Sequence, residues 1–241
     1  MSNIRLGVNI DHVATLRNAR GISHPSPLEA AVIVKKSGAD QVTIHLREDR
    51  RHINDKDAID IIDKIDLDVN LEIATTDEMI NFAIKNRPHI VCLVPENRQE
   101  ITTEGGLNLN LEKLRYAINR LYENRINVSL FIDPSIDNIQ KCKELGIKYV
   151  ELHTGKYANS TQDNMNKELS LLENCAKLCQ DLDINCHAGH GLNFDNVSSV
   201  AKIKEIKELN IGHWLIGDSI FNGLESSIKQ MINLINNCRK S

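Results

Sequence analysis

The sequence predicts a (β/α)8 TIM barrel, and three observations lead to it. Short β-branched runs alternate with longer amphipathic stretches along the whole chain, eight times over, and eight is the strand number at which a parallel barrel closes. Within several of the runs polar and apolar residues alternate, so those strands carry an apolar face for helices and a polar face for something else. The 241 residues contain no linker, no low-complexity stretch and no second compositional regime, which predicts one domain over residues 1–241. A sheet covered by helices on both faces would have near-continuously apolar strands. A one-sided antiparallel sheet would share the alternation, but the long helical patterns between the runs argue against it.

Taken in order, the first strand is expected over 5–10, where Gly7, Asn9 and Asp11 share one face and Val8 and Ile10 the other. A helix follows over 27–37, with Gly38 where it should stop. The second strand, 41–46, puts His45 on one face, with Arg47 next in the same parity, and leads to a helix over 57–65. Asn70 and Glu72 share the polar face of the third strand, 68–73; Thr76 ahead of Asp77 and Glu78 then caps a helix over 76–85. The fourth strand, 89–94, runs into the polar loop VPENRQEITTEGG and a helix over 111–123. The fifth, 127–132, is followed by Asp133-Pro134-Ser135 and a helix over 135–144 stopped by Gly146. Glu151 and His153 lie on the polar face of the sixth, 149–153, before a helix over 167–182. The seventh strand is expected over 184–187 with a helix over 196–207, and the eighth over 213–216 with a last helix over 224–239. In a barrel the polar faces point inward, and the strand ends emerge at the C-terminal rim, where such folds keep their chemistry.

Bulk properties exclude several function classes. Hydrophobic residues at 41% and charged residues at 26% describe an ordinary globular chain. A net charge of −4 gives no reason to expect nucleic acid or a membrane surface as partner. No stretch approaches the ~18 apolar residues of a membrane span, and Asn9, Asp11 and His12 interrupt the N-terminal run too early for a signal peptide. Six scattered cysteines without a CxxC read as buried free thiols in a reducing compartment, so a cytoplasmic location is expected. Nine histidines form no HxH or HExxH pattern, and no catalytic metal is expected.

The chemistry-bearing residues gather after strands. Asn9, Asp11 and His12 end the first, with Arg17 and Arg20 in the following loop; an Asp and an Arg there are ordinarily a solvated ion pair. After the second strand come Arg47, Arg50, Arg51 and His52, and the parity of Arg47 with His45 aims at least one guanidinium at the barrel mouth, where its fork suits phosphate. Glu72 stands between Leu71 and Ile73; it is either salt-bridged, with Arg47 a candidate, or raised in pKa and able to act as a general acid or base. Thr102 and Thr103 precede Gly105 and Gly106 in a loop long enough to be a lid. CHAGHGLN carries His190 and Gly191 after the seventh strand. Gly212 and His213 stand at the start of the eighth as drawn, or reach the rim if that strand lies a few residues earlier. Loops after strands seven and eight commonly hold phosphate in this fold.

The segments LGVNIDHVATLRNARG, HLREDRRHI, NLE, VPENRQEITTEGG, SLFID, ELHTGKYA, AGHGLN and ELNIGH together resemble the pyridoxine 5′-phosphate synthase family, in order and over nearly the whole chain. The resemblance implies a barrel with extra helices, assembled as a homo-octamer built from dimers and needing no metal or organic cofactor. It also implies two phosphorylated substrates, 3-amino-2-oxopropyl phosphate and 1-deoxy-D-xylulose 5-phosphate, condensed to pyridoxine 5′-phosphate, inorganic phosphate and water. On this resemblance His45 and Glu72 are proton acceptors, His190 a proton donor and Glu151 a transition-state stabiliser. Asn9, Arg20, Gly191, Gly212 and His213 would hold the amino-ketone phosphate; Asp11, His12, Arg47, His52 and Thr102 would meet the sugar phosphate. Two positions depart from the family's pattern: His187 where relatives usually carry Asn, and Asp218 after Gly217 where an Arg is common. A phosphosugar isomerase or aldolase, or a non-catalytic phosphometabolite-binding barrel, are the competing readings.

Overall fold

A computed structural model describes residues 3–96 and 105–240. Eight strands, β1 (Arg5–Asn9), β2 (Gln41–His45), β3 (Asp68–Ile73), β4 (Ile90–Leu93), β5 (Asn127–Ile132), β6 (Tyr149–His153), β7 (Asn185–Gly189) and β8 (Ile206–Ile211), pair in parallel in chain order. Closure comes from β1 against β8, with Arg5 opposite Glu208 and Val8 opposite Ile211. Around them lie α1 (Asp11–Asn18), α2 (Pro27–Lys36), α3 (Asp55–Lys64), α4 (Asp77–Asn86), α5 (Leu111–Glu123), α6 (Ile136–Glu144), α7 (Gly155–Asn159), α8 (Gln162–Asp181), α9 (Val197–Ala201), α10 (His213–Asn222) and α11 (Leu224–Lys240).

Local chemistry sets several helix starts. Ser26 accepts the Glu29 amide and Ser135 that of Asn138, while Asn54 and Asp57 close a reciprocal capping box on α3. Thr76 precedes α4 as expected, but its hydroxyl makes no capping bond. The outward strand residues, such as Val8, Ile44, Leu71 and Leu130, pack against Val34, Ile61, Met79, Ile118 and Met231 in one continuous core. Each large aliphatic side chain buried there contributes about 1.5–3 kcal/mol. The α11 stripe of Ile228, Met231 and Ile235 is fully buried in this core, so it packs on the barrel.

The interior of the barrel is largely polar, apart from a small apolar cluster of Cys92, Val94 and Phe131. At its floor Arg5 Nε donates to Glu208 Oε2 at 2.8 Å and Nη2 to Asp68 Oδ2 at 2.8 Å, while Gln41 Nε2 donates to Glu208 Oε1 at 2.8 Å. His187 belongs to this floor, with Nδ1 3.3 Å from Glu208 Oε1. One layer up, Asn210 Oδ1 accepts from Thr43 Oγ1, and Asn210 Nδ2 donates to Glu151 Oε2 at 2.7 Å.

Two parts of the sequence-based layout are corrected. Strand eight is Ile206–Ile211, and the run 213–216 is the first turn of α10, where Leu215 and Ile216 are buried and His213 and Trp214 exposed. A short apolar run is ambiguous between strand and buried helix, and the inward Glu208 and Asn210 gave β8 the look of a helix's polar face. The helix expected over 196–207 accordingly shrinks to the five residues of α9. The segment after β1 is a helix rather than a loop: Arg17 lies buried in α1, its Nη1 2.6 Å from Asp57 Oδ1 and its Nη2 donating to the His52 carbonyl.

Candidate active site at the C-terminal rim

The ends of β1 to β4 form one wing of the rim. Asn9 closes β1, and its amide group accepts from the Asp11 N–H and donates to Asp11 Oδ2 at 2.8 Å. The other oxygen of Asp11 accepts the His45 N–H at 2.8 Å, which ties the start of α1 to the end of β2. His45 is buried between two carboxyl groups: Nε2 is 3.1 Å from Glu96 Oε1, and Nδ1 is 3.9 Å from Glu72 Oε2. The second oxygen of Glu96, just past β4, accepts the Glu48 amide at 3.0 Å. Arg47 is 2% exposed, with Nε 3.7 Å from Asp49 Oδ1. Its neighbours turn outward: Arg50 pairs with Asp55 and Glu78, and Arg51 with Asp49. The β2–α3 loop thus delivers one of its three arginines to the mouth.

The two carboxyl groups beside His45 are driven in opposite directions. Burial, reinforced by the charges of Glu151 and Asp11, pushes Glu72 well above the ordinary range. Burial opposes ionisation of Glu96 as well, but the His45 and Glu48 hydrogen bonds and the nearby Arg47 charge outweigh it and hold that carboxyl below its usual value. Burial also lowers His52 and His12, the latter helped by His213, whose ring centroid lies 4.7 Å away.

Asp11, His45 and His52 bring one candidate metal-ligand atom each within 4.8 Å of one another. They do not fit a cation as they stand. His52 Nδ1 accepts the Ile53 amide, so Nε2 carries the ring hydrogen and has no lone pair to offer. Asp11 does not decide the matter, since each of its oxygens accepts one hydrogen bond and keeps a further lone pair.

The ends of β5 to β8 form the second wing. Glu151 is 4% exposed, and burial pushes it up to about 8 against the lowering effect of its Asn210 hydrogen bond. Gly189 makes room for it: a Cβ there would lie 2.3 Å from Glu151 Oε1 and 2.8 Å from the Asn210 carbonyl. His153 Nδ1 is 3.2 Å from Asp133 Oδ1, and its ring meets that of His190 edge-on at 4.9 Å. His190 adopts φ +83°, a costly conformation for a residue with a side chain, and Thr154 Oγ1 lies 2.6 Å from its carbonyl oxygen. Burial and then the neighbouring His153 push the His190 imidazole down to about 4. Gly212 begins α10 without a side-chain cap, which leaves first-turn amides at the rim.

Such an arrangement handles protons and anions together. Two buried carboxyl groups of raised pKa can hold protons at neutral pH, a histidine flanked by carboxylates can take one, and buried Arg47 and the start of α10 suit phosphate. Residues 6–237 match the family described as Pyridoxal phosphate biosynthesis protein PdxJ. The chain belongs to the PdxJ family. It is 52% identical over 238 residues to the pyridoxine 5′-phosphate synthase of Zymomonas mobilis subsp. mobilis, covering 98% of this chain and 93% of that one. It is 50% identical to the protein of the same name from Ehrlichia chaffeensis, over 96% of both chains. Among solved structures, the phosphoribosyl anthranilate isomerase of Thermotoga maritima shares the fold alone, with a TM-score of 0.64 at 18% identity over 97% of this chain and 99% of that one.

In this PdxJ-family chain the expected site residues fall into clear groups. Asn9, Asp11, His45, Arg47, His52 and Glu72 lie along the first wing; Glu151, His190 and Gly191 lie along the second, and His12 meets His213 where α1 and α10 begin. Arg20 is exposed just past the C-terminus of α1. Thr102 lies outside the described residues. The two departures sit away from the rim chemistry: His187 is on the floor, and Asp218 accepts from Ser227 at 2.6 Å and Asn222 at 3.0 Å, which binds α10 to α11. Three participants were missed from the sequence: Glu96, Asp133 and Asn210. Glu96 continues the inward parity of Cys92 and Val94, and Asn210 alternates with Leu209 and Ile211, so a correctly placed eighth strand and one more step past the fourth would have found both.

Proposed function

We propose that this PdxJ-family chain is a pyridoxine 5′-phosphate synthase of vitamin B6 biosynthesis. It condenses 3-amino-2-oxopropyl phosphate with 1-deoxy-D-xylulose 5-phosphate and releases pyridoxine 5′-phosphate, inorganic phosphate and water, as a transferase-class ring-closing enzyme. The observation that carries the reading is the joining of family membership to a rim where Glu72, Glu96, Glu151 and His190 stand in environments of opposed proton affinity. Amine addition, dehydration, phosphate loss and carbon–carbon closure each move a proton, and groups of differing pKa can divide those transfers.

His45 takes protons through Nδ1, the nitrogen facing Glu72, and Glu72 takes them when it is ionised. The mutual repulsion of Glu72 and Glu151 keeps one of the pair protonated at neutral pH, so the interior carries a proton to return. Glu151 stabilises positive charge that develops on the condensing amine. His190, neutral in the free site, becomes a donor once a phosphate dianion beside it raises its proton affinity. Asn9, Arg20, Gly191, Gly212 and His213 receive the amino-ketone phosphate; Asp11, His12, Arg47, His52 and Thr102 receive the sugar phosphate. The protein acts in the cytoplasm and assembles as a homo-octamer built from dimers; the exposed Trp214, Ile220 and Phe221 on α10 support self-association, and light scattering of the purified protein checks the assembly.

The deciding experiment mixes the purified protein with both phosphorylated substrates, with and without a chelator. Equimolar pyridoxine 5′-phosphate and inorganic phosphate, unaffected by chelation, is the expected result. A folded protein that binds both substrates and releases neither product would overturn the assignment.

A further inference from the structure

We infer that Glu96 is the positioning residue of His45, fixing the imidazole as its Nε2–H tautomer so that Nδ1 keeps a lone pair toward Glu72. The inference rests on the reading of His45 as a base, but the geometry stands on its own.

Glu96 follows β4 and has no part in the strand ladder, yet its side chain is only 5% exposed, and each of its oxygens has a separate task. Oε2 accepts the Glu48 amide at 3.0 Å, and Oε1 lies 3.1 Å from His45 Nε2. A carboxylate accepts and does not donate, so the hydrogen in the second contact belongs to the imidazole. The Glu48 contact makes the pair selective. A backbone N–H can only donate, so whatever occupies position 96 must present an acceptor on that side. With glutamate an acceptor also faces His45, and His45 is held as Nε2–H. Around the ring stand Glu72 from β3 and His52 from its own loop, with Asp11 on its backbone amide, so Glu96 is the partner of Nε2 among the described residues.

The Glu48 amide also predicts an inverted order of damage. In Glu96→Gln the amide oxygen goes to the Glu48 N–H, and the NH2 group faces His45 Nε2. That forces the Nδ1–H tautomer and blocks proton uptake on the side facing Glu72. In Glu96→Ala nothing dictates the tautomer, and water can replace the lost acceptor. The isosteric Gln variant should therefore be the worse enzyme, with kcat/KM lower by about 100- to 1000-fold against about 10-fold for Ala, and with Glu96→Asp closer to wild type. A purely structural role gives the reverse order, because Gln preserves volume and the Glu48 bond.

The test combines these rates with 15N NMR of the histidine ring nitrogens in the free, fully assembled protein. The expected result is an Nε2–H signature for His45 in the wild type and Nδ1–H in Glu96→Gln, with Gln slower than Ala. An unchanged tautomer in Glu96→Gln, or a Gln variant faster than Ala, overturns the inference. Should Glu96→Gln not fold, an Nδ1–H signature in the wild type overturns it equally, and an Nε2–H signature that becomes mixed in Glu96→Ala upholds it. The tautomer is read without substrate, so a tautomer switch in a protein with no synthase activity would strike the proposed reaction and leave the positioning role intact.

Discussion

Replacing Glu151 by Gln should make the fold more stable, and increasingly so as pH rises. Glu151 lies 4% exposed beside Asn210, and burial raises it from 4.5 to about 8. A carboxyl group whose folded pKa lies above its unfolded value binds its proton more tightly when folded. Stability is therefore complete below about pH 4.5, falls as pH rises, and levels off past pH 8. That rise corresponds to about 3 kcal/mol lost by pH 7 and about 4 to 5 kcal/mol by pH 9. Gln keeps the shape and the acceptor for Asn210 Nδ2 but has no charge to desolvate. Removing the Glu151 charge also relieves Glu72, which widens the gap between the proteins. Urea unfolding of both proteins at pH 5, 7 and 9 reads the effect directly. The Gln variant should gain about 1 kcal/mol or less over wild type at pH 5 and several kcal/mol at pH 9. Parallel stability curves across that range would refute the account, since they would mean that Glu151 is already ionised and compensated in the folded protein.

Glu72→Gln should fold normally and lose about 100-fold or more in kcat; near-normal turnover would remove Glu72 from the proton transfers. Arg17→Ala leaves the half-buried Asp57 without its guanidinium partner at the α1–α3 junction and should cost about 2 kcal/mol in denaturant unfolding, whereas no measurable change would show that the junction holds without the pair. The His190 ring should titrate near 4 by NMR in the free protein and shift upward on saturation with inorganic phosphate; an ordinary histidine pKa in the free protein would contradict its burial. Arg20→Ala and Arg47→Ala should each raise the KM of a different substrate, and an identical effect on both substrates would reject separate phosphate sites.

Much of the barrel was legible because its strands advertise two faces. The parity of Asn70 with Glu72 and of Glu151 with His153 places these residues on the interior in sequence and structure alike, while Asp11 and Arg47, read by the same parity from Asn9 and His45, lie just past the strand ends at the rim. The eighth strand was drawn late because Leu215 and Ile216 made a short apolar run, while Glu208 and Asn210 inside β8 read as exposed. Helix α1 was invisible for a related reason: its N-terminal residues serve the rim and its buried Arg17 has the composition of a loop cation. Sequence parity also has nothing to say about pairing across strands. That Glu96 would meet His45, and that Asp133 would meet His153, depends on how far each chain runs past its strand end.

The amide of Asn210 joins two layers of the interior. Its oxygen takes hydrogens from Thr43 and, at 3.4 Å, from Gln41, which itself belongs to the Glu208 floor; its nitrogen gives one to Glu151. Were that amide rotated, an oxygen would face Glu151, and the carboxyl group could stay there only as the neutral donor. The floor therefore casts a vote on the protonation of the rim. Substitutions at Gln41 or Thr43, which a mutational screen would file under thermostability, should show up as shifted pH–rate profiles, and the interior of this barrel has no purely architectural half.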